Sequence, residues 1–180
     1  MVPVSQSPED IVGALRARIG RESEPVRSPG PIEWSDVRRY MNATGDVNPL
    51  WGAADLASNP SRAGSMAPPA MILDVLRPEL DRDIVDDRGE RGFPSLGGLA
   101  ATIVVPGERG RLNASTEIEW MRPLLIGDWL TVTFTITDVT LKEGRTGPAV
   151  FITEERRYAD QRGQPIALVR QITVRSLGPS

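Results

Sequence analysis

Apolar and polar positions alternate along the C-terminal third of the chain with the period of two that is typical of β-strands. Turns that contain glycine separate the alternating segments, so the pattern predicts an antiparallel meander. The predicted strands are residues 115–120, 129–139, 149–159 and 165–175, with a further apolar candidate at residues 99–105. Charged, glycine-containing segments predict a surface loop at residues 80–98 and a hairpin turn at residues 107–111.

Two N-terminal segments have the spacing of amphipathic helices. The first begins after Ser7, the predicted N-cap, and stops at Gly20. The second begins at a cap formed by Ser35 and Asp36 and ends at Gly45. Between them the sequence predicts a linker at residues 22–31 and a short strand at residues 32–34.

The most apolar segment, residues 70–76, predicts a buried helix that opens at Pro68 and Pro69. A helix that is apolar on nearly every side needs a sheet wrapped over it. One buried helix with several long antiparallel strands predicts an α+β fold. The expected organisation is an N-terminal helix and linker, residues 1–30, followed by a single domain, residues 31–180.

Composition narrows the possible chemistry more than it narrows the fold. The 180 residues carry a net charge of −3, with no cysteine and no histidine. A basic surface for nucleic acid is not expected, and cysteine-based sites, Ser-His-Asp triads and histidine-bound metals are excluded. Acid–base chemistry falls to carboxylates, Tyr, Lys or water. Without a run of about 18 apolar residues, we expect a cytoplasmic protein that makes no use of a membrane.

The turn at residues 45–51 is the first candidate site. Asp46 lies just after a predicted helix, where backbone N–H groups can hold its carboxylate while its other side meets a cleft. The alternative is an Asx turn with a purely structural role. Trp51 likewise suits either the wall of a ligand pocket or the core.

A second candidate lies where Gly64 precedes the predicted buried helix, since free N–H groups at a helix start stabilise an oxyanion. The alternative is a glycine needed only for the turn. Glu117 and Glu119 alternate with apolar positions ahead of Arg122, which indicates a solvated strand face with an ion pair. Gly127 and Asp128 predict a turn into the next strand.

Four motifs occur in a fixed order and spacing. They are Tyr40-x5-Asp46-x-Asn48-Pro49-Leu50-Trp51, Gly64-x2-Ala67-Pro68-Pro69, Glu119-Trp120-x-Arg122-Pro123-Leu124-x2-Gly127-Asp128 and Glu155-x2-Tyr158. Together they resemble the N-terminal dehydratase domain of the MaoC-like hotdog family, over about residues 31–175. The resemblance implies a hotdog fold for the predicted domain, with an antiparallel sheet wrapped around a central buried helix.

Members of that family are (R)-specific enoyl-thioester hydratases and 3-hydroxyacyl-thioester dehydratases. They act on esters of coenzyme A or acyl-carrier protein, with the acyl chain in a tunnel and with no metal or organic cofactor. By resemblance, Asp46 and Asn48 are the candidate catalytic residues. The candidate substrate-binding residues are Trp51, Gly64, Ser65, Met66, Pro68 and Arg122.

Catalytic members carry the motif Asp-x-Asn-Pro-x-His, and Trp51 occupies the position of its histidine. The resemblance therefore implies the silent half of a two-hotdog assembly, whose partner carries the Asp/His pair, or otherwise a homodimer. Two alternatives stay open. The chain is a stand-alone dehydratase or cyclase on an acyl or polyketide thioester, with Asp46 as sole acid or base, or it binds acyl thioesters without turnover.

Overall fold

The structure is a computed structural model that describes residues 7–48, 50–51, 65–73, 105, 107–144 and 147–177. Within these ranges five strands form one antiparallel sheet in the order β1-β3-β4-β5-β2. The strands are β1 (Val26–Arg27), β2 (Glu108–Trp120), β3 (Thr131–Gly144), β4 (Gly147–Ala159) and β5 (Pro165–Leu177). The helices are α1 (Pro8–Arg16), α2 (Trp34–Thr44) and a short 3₁₀ helix, Pro69–Leu73. None of these described helices combines the length and the apolar character that crossing a membrane requires.

Alternation predicted β2 to β5, although most of these strands are longer than expected, and it did not predict β1. The meander holds for β3, β4 and β5, but β2 pairs with β5 rather than with its neighbour in sequence. Because β3 already has β4 on one side and β1 on the other, the free edge is that of β5. The hairpin turn predicted at residues 107–111 is wrong. Gly107 has the left-handed backbone conformation of a turn (φ +75°), and β2 begins at the next residue, Glu108.

Helix α1 begins where the sequence predicts and ends earlier. Ser7 is the N-cap, and its Oγ accepts a hydrogen bond from the N–H of Asp10 at 3.2 Å. The helix ends at Arg16, four residues before the predicted stop. Gly20 does adopt a left-handed conformation (φ +78°), but its N–H donates to the carbonyl of Ile136 on β3. The glycine therefore turns the chain onto the sheet.

Helix α2 begins one residue before its predicted cap. Residues 32–34 form no strand, because Trp34 is already helical and Glu33 is the N-cap. Asp36 lies at the third helical position, where its Oδ2 accepts from the N–H of Glu33 at 3.0 Å. The predicted end is confirmed, since Gly45 closes the helix with φ +70°.

The core consists of two apolar clusters on the sheet. Cluster one joins Ala67, Met71 and Ile72 to β3, β4 and β5, and cluster two packs α1 on the same strands. The described part of the predicted central helix is the 3₁₀ turn, with Met71 and Ile72 buried. The rest of that helix, the loop at 80–98 and the strand candidate at 99–104 lie outside the described residues. The curled antiparallel sheet with few helices is an α+β hotdog fold.

The segment predicted as a linker, residues 22–31, is partly sheet. It contains β1, which pairs with β3, and Glu22 forms an isolated bridge with Thr135. Both α1 and this segment thus lie against the domain that follows them. The division near residue 30 stays a prediction.

Candidate functional site

The turn after α2 places Asp46 and Trp51 side by side. The indole Nε1–H of Trp51 donates to Oδ2 of Asp46 at 2.9 Å. The backbone N–H of Asn48 donates to Oδ1 of the same carboxylate at 3.1 Å. Both oxygens of the predicted catalytic carboxylate therefore accept hydrogen bonds from the turn itself.

Asn48 also bonds within this turn. Its side-chain Oδ1 accepts from the N–H of Leu50 at 3.0 Å, and its carbonyl accepts from the N–H of Trp51 at 3.1 Å. Such side-chain-to-backbone bonds are typical of Asx turns. The structural alternative fits the geometry of Asp46 and Asn48, and their catalytic roles stay a prediction.

Trp51 has the core role, one of the two that the sequence left open, and its role as the wall of a ligand pocket stays a prediction. Its half-buried ring packs against cluster one, and its N–H reaches Asp46. An indole N–H is only a donor, whereas imidazole both accepts and releases protons near neutral pH. The Asp46–Trp51 pair is therefore joined by a hydrogen bond, but Trp51 supplies no acid–base chemistry.

Replacing Trp51 with phenylalanine is expected to cost about 1 kcal/mol of the free energy of unfolding, because Oδ2 of Asp46 loses its indole donor while an aromatic ring remains. Urea unfolding measures the loss. Trp129→Phe is the matched control, since that residue is 47 % exposed, and its change should stay within about 0.5 kcal/mol. Equal losses in the two variants would contradict the structural role of the Asp46–Trp51 bond.

The second candidate segment is described from Ser65 onward, and Gly64 lies outside the described residues. Its backbone pairs with the turn that follows β2. The N–H of Ala67 donates to the carbonyl of Leu124 at 2.8 Å, and the N–H of Ile126 donates to that of Ser65 at 2.8 Å. Met66 lies in this bridge, and the neighbouring Pro68 is buried and has no N–H. The N–H of Ala67 is thus already bonded, and Pro68 has no N–H to offer to an oxyanion, while the roles of Ser65 and Met66 stay a prediction.

Arg122 lies in a buried ionic cluster rather than on an open strand face. Its Nη1 and Nη2 donate to the two oxygens of Asp128 at 2.8 and 3.0 Å, and Nη2 also donates to Asp160 at 3.0 Å. The ion pair expected on this strand forms between Glu117 and Arg170 instead, with 3.7 Å between Oε2 and Nη1. The substrate contact predicted for Arg122 stays a prediction.

The surroundings of this cluster shift the pKa values of Arg122 and Asp160. The bonds to Asp128 raise the pKa of Arg122. Burial alone would raise the pKa of Asp160, but the N–H groups of Gln164 and Arg162 and the guanidinium of Arg122 outweigh burial and lower that pKa. Elsewhere, burial opposes but does not cancel the lowering of the Glu108 pKa by Arg111 and Arg175. Among the described residues, no three acidic side chains are grouped as a metal site requires.

The free energy of unfolding is expected to fall in acid. A carboxylate whose pKa is lowered by folding binds protons more readily in the unfolded chain, so stability is lost as the pH falls. The stabilisation by ionised Asp160 is fully present well above pH 3.8, the ordinary pKa of an aspartate. It is lost as the pH falls through the lower pKa that Asp160 has in the folded protein. Urea unfolding at pH 7, 5, 4 and 3 should show a shallower acid loss for Asp160→Asn. An identical acid profile for both proteins would contradict this assignment.

A buried polar layer, which we define as Glu154, Arg156 and Gln171, crosses the inner face of β4 and β5. These residues are 1 %, 3 % and 8 % exposed. Nε of Arg156 donates to Glu154 at 2.9 Å, and its Nη2 donates to Oε1 of Gln171. Burial raises the pKa of the neighbouring Tyr158 phenol, an effect that Arg156 partly offsets. None of these three residues was a candidate from the sequence, and the signal for Glu154 and Arg156 was that they continue the two-residue period of Ile152 and Tyr158.

Comparison with known proteins decides the family. The model of the FAS1-like dehydratase domain region matches residues 17–169. The chain belongs to this family. It is a MaoC-like hotdog protein, as the four sequence motifs indicate.

Individual relatives agree with this assignment. The chain is 28 % identical over 169 residues to a probable enoyl-CoA hydratase alpha subunit from Thermomonospora curvata, a match that covers 91 % of this chain and 51 % of that relative. It therefore spans about half of that protein's length. The ChsH1-ChsH2 complex from Mycobacterium tuberculosis contains a chain of the same fold, with a TM-score of 0.70, 22 % identity and coverage of 96 % and 92 %. A MaoC-like dehydratase matches with a TM-score of 0.57 and 20 % identity over 91 % of this chain and 43 % of that one.

Proposed function

We propose that this chain is the substrate-binding subunit of an (R)-specific enoyl-thioester hydratase or 3-hydroxyacyl-thioester dehydratase. In this proposal the chain shapes one wall of the acyl site, and a second hotdog subunit with an Asp/His pair carries out the proton transfers. The substrate is an acyl ester of coenzyme A or of acyl-carrier protein. No metal or organic cofactor takes part.

The observation that carries the proposal is the bond from the Trp51 indole to Asp46. Hydration of a double bond needs a group that orients a water molecule and moves its proton. An indole N–H can donate a hydrogen bond but cannot take up or release a proton at neutral pH, and the 180-residue chain has no histidine that could take its place. Since both oxygens of Asp46 accept bonds within the turn, the carboxylate serves to shape the loop.

The relatives support an assembly of two hotdogs. The curated relative is named as an alpha subunit, and this chain spans 51 % of its length. The structural neighbour with the TM-score of 0.70 is part of a two-protein complex. A chain that supplies one hotdog of such an assembly accounts for both observations.

Strand β2 offers the edge that such a partner would use. It is 13 residues long and lies at the end of the sheet, and among the described strands only β5 pairs with it. An edge strand can pair with a strand of another chain where it is uncharged, and residues 112–116 of β2 carry no charge. Leu112 on this strand is 63 % exposed. We infer that the partner's sheet joins along β2.

Affinity purification of the full chain from its native host tests the proposal. We expect it to carry with it a hotdog protein with the Asp-x-Asn-Pro-x-His motif, identified by mass spectrometry, in a complex of defined mass by light scattering. Leu112→Glu should weaken this complex at least tenfold, while Ile19→Glu, an exposed site away from β2, should not. A homodimer that hydrates enoyl thioesters by itself would contradict the proposal.

The other two hypotheses predict different behaviour in the same preparation. A stand-alone dehydratase or cyclase needs Asp46 to act as the sole acid or base, and Asp46→Asn would abolish its turnover. A binding protein without a catalytic partner would retain acyl thioesters and purify alone. The bonds that hold Asp46 and the kinship with a named subunit favour the two-subunit proposal.

A further inference from the structure

The turn between β2 and β3 holds together two segments that are far apart in sequence. On one side it pairs with Ser65–Ala67, through Leu124 and Ile126. On the other side the N–H of Gly127 donates to the carbonyl of Ile32 at 2.8 Å, and the N–H of Ile32 donates to the carbonyl of Asp128 at 2.9 Å. Ile32 stands just before α2, whose far end carries the Asp46 turn. The segment Ser65–Ala67 and the start of α2, which leads to the Asp46 turn, are therefore both hydrogen-bonded to this one turn.

The conformation of that turn depends on Arg122. A guanidinium has five N–H donors, and four of them are used, on two oxygens of Asp128, one of Asp160 and the carbonyl of Pro123. Oδ2 of Asp128 also accepts from the N–H of Leu125 at 2.9 Å. Arg122 thus connects Asp128, in the turn between β2 and β3, to Asp160 in the β4–β5 loop.

The same geometry argues against a direct contact with substrate phosphates. One guanidinium beside the carboxylates of Asp128 and Asp160 leaves the cluster with a net negative charge. The carboxylates are almost fully buried, at 8 % and 7 % side-chain exposure. A phosphate or pyrophosphate would have to displace one of them and would be repelled by the other.

We propose that Arg122 is a positioning residue, which acts through Asp128 and residues 124–126 to hold Ser65–Ala67 and the start of α2 in register. This rests on the proposed function insofar as Ser65–Ala67 forms part of the acyl-thioester site. Arg122 does not touch the substrate. Its bidentate fork makes it irreplaceable by lysine, which offers a single point charge.

Amide hydrogen exchange followed by NMR tests the first half of the proposal on the isolated chain. In Arg122→Met the amides of Ala67, Ile126 and Gly127 should exchange at least tenfold faster relative to the amide of Ile152 in β4, which reports global opening. Arg122→Lys should give the same pattern, and Asp160→Asn, which keeps the bond to Asp128, a smaller one. Arg170→Met is the matched control, because it removes an ion-paired arginine from the outer face. Unchanged relative exchange in Arg122→Met and Arg122→Lys would overturn the proposal.

Kinetics of the reconstituted two-subunit enzyme test the second half. With crotonyl-coenzyme A as the probe, Arg122→Lys should raise KM about tenfold and leave kcat within about twofold, since the wall of the site is displaced but the partner's catalytic pair is intact. Faster exchange with an unchanged KM would overturn the positioning role while leaving the proposed function standing. If the unmodified complex shows no hydration, the proposed function fails, and the exchange pattern still decides whether Arg122 holds the turn.

Discussion

Replacing Arg156 with methionine is expected to lower the free energy of unfolding by about 3–5 kcal/mol. The guanidinium lies between Glu154 and Gln171, and the Arg156 side chain is only 4 % exposed. Removing it takes the arginine's charge away from a carboxylate that is itself 2 % exposed. A buried carboxylate that loses the positive charge beside it is strongly destabilised, because water cannot return to solvate it. Urea unfolding monitored by circular dichroism measures the change.

Two further variants make the test specific. Arg170→Met removes an arginine that has two carboxylate neighbours but is 48 % exposed, so its cost should be much smaller than that of Arg156→Met. The double replacement of Glu154 and Arg156 by methionine should recover most of the loss, because it removes both charges together. Similar losses of stability for Arg156→Met and Arg170→Met would show that Glu154 and Arg156 do not form a buried ion pair.

Truncating Leu15 to alanine is expected to cost about 3 kcal/mol. Leu15 is 3 % exposed and belongs to cluster two, where α1 packs on Ile136 and Val139 of β3. The deletion removes apolar contacts and leaves a cavity that the rigid sheet cannot fill. Thermal and urea unfolding should show a single, less stable transition, since the helix and the sheet share one core.

The control for Leu15→Ala is the same substitution at Leu112, which is 63 % exposed. It should change stability by no more than about 0.5 kcal/mol in the isolated chain. If Leu15→Ala has the same free energy of unfolding as the unmodified protein, the packing of α1 in cluster two does not stabilise the fold.

The sequence predicts the sheet well because strand alternation is a local signal. Residues such as Val150 and Ile152 face inward, and the same period continues through β5. The cap at Ser7 and the end of α2 at Gly45 were likewise predictable, because they depend on one side chain or one backbone conformation. The pairing of β2 with β5 is a property of the whole sheet, and no local pattern encodes it.

The candidate site is less predictable from sequence, for the same reason. Arg122 precedes Asp128 by six residues, but its bond to Asp160 joins positions 38 apart in the chain. Charged residues such as Glu154 and Arg156 usually lie on the solvated face of a strand. Here they lie on the buried face of β4, the same face as Ile152. The Asp46 turn was predictable as a turn. That Trp51 is its donor follows only from the folded geometry.

The most direct test of the proposed function follows the enoyl absorbance of crotonyl-coenzyme A and of a long-chain trans-2-enoyl-coenzyme A. The proposal predicts no loss of absorbance with this chain alone and a rapid loss once the Asp/His-bearing subunit is added. In that complex, Asp46→Asn in this chain should leave kcat within about twofold. Rapid hydration by the isolated chain that disappears in Asp46→Asn would contradict the proposal and make Asp46 a catalytic residue.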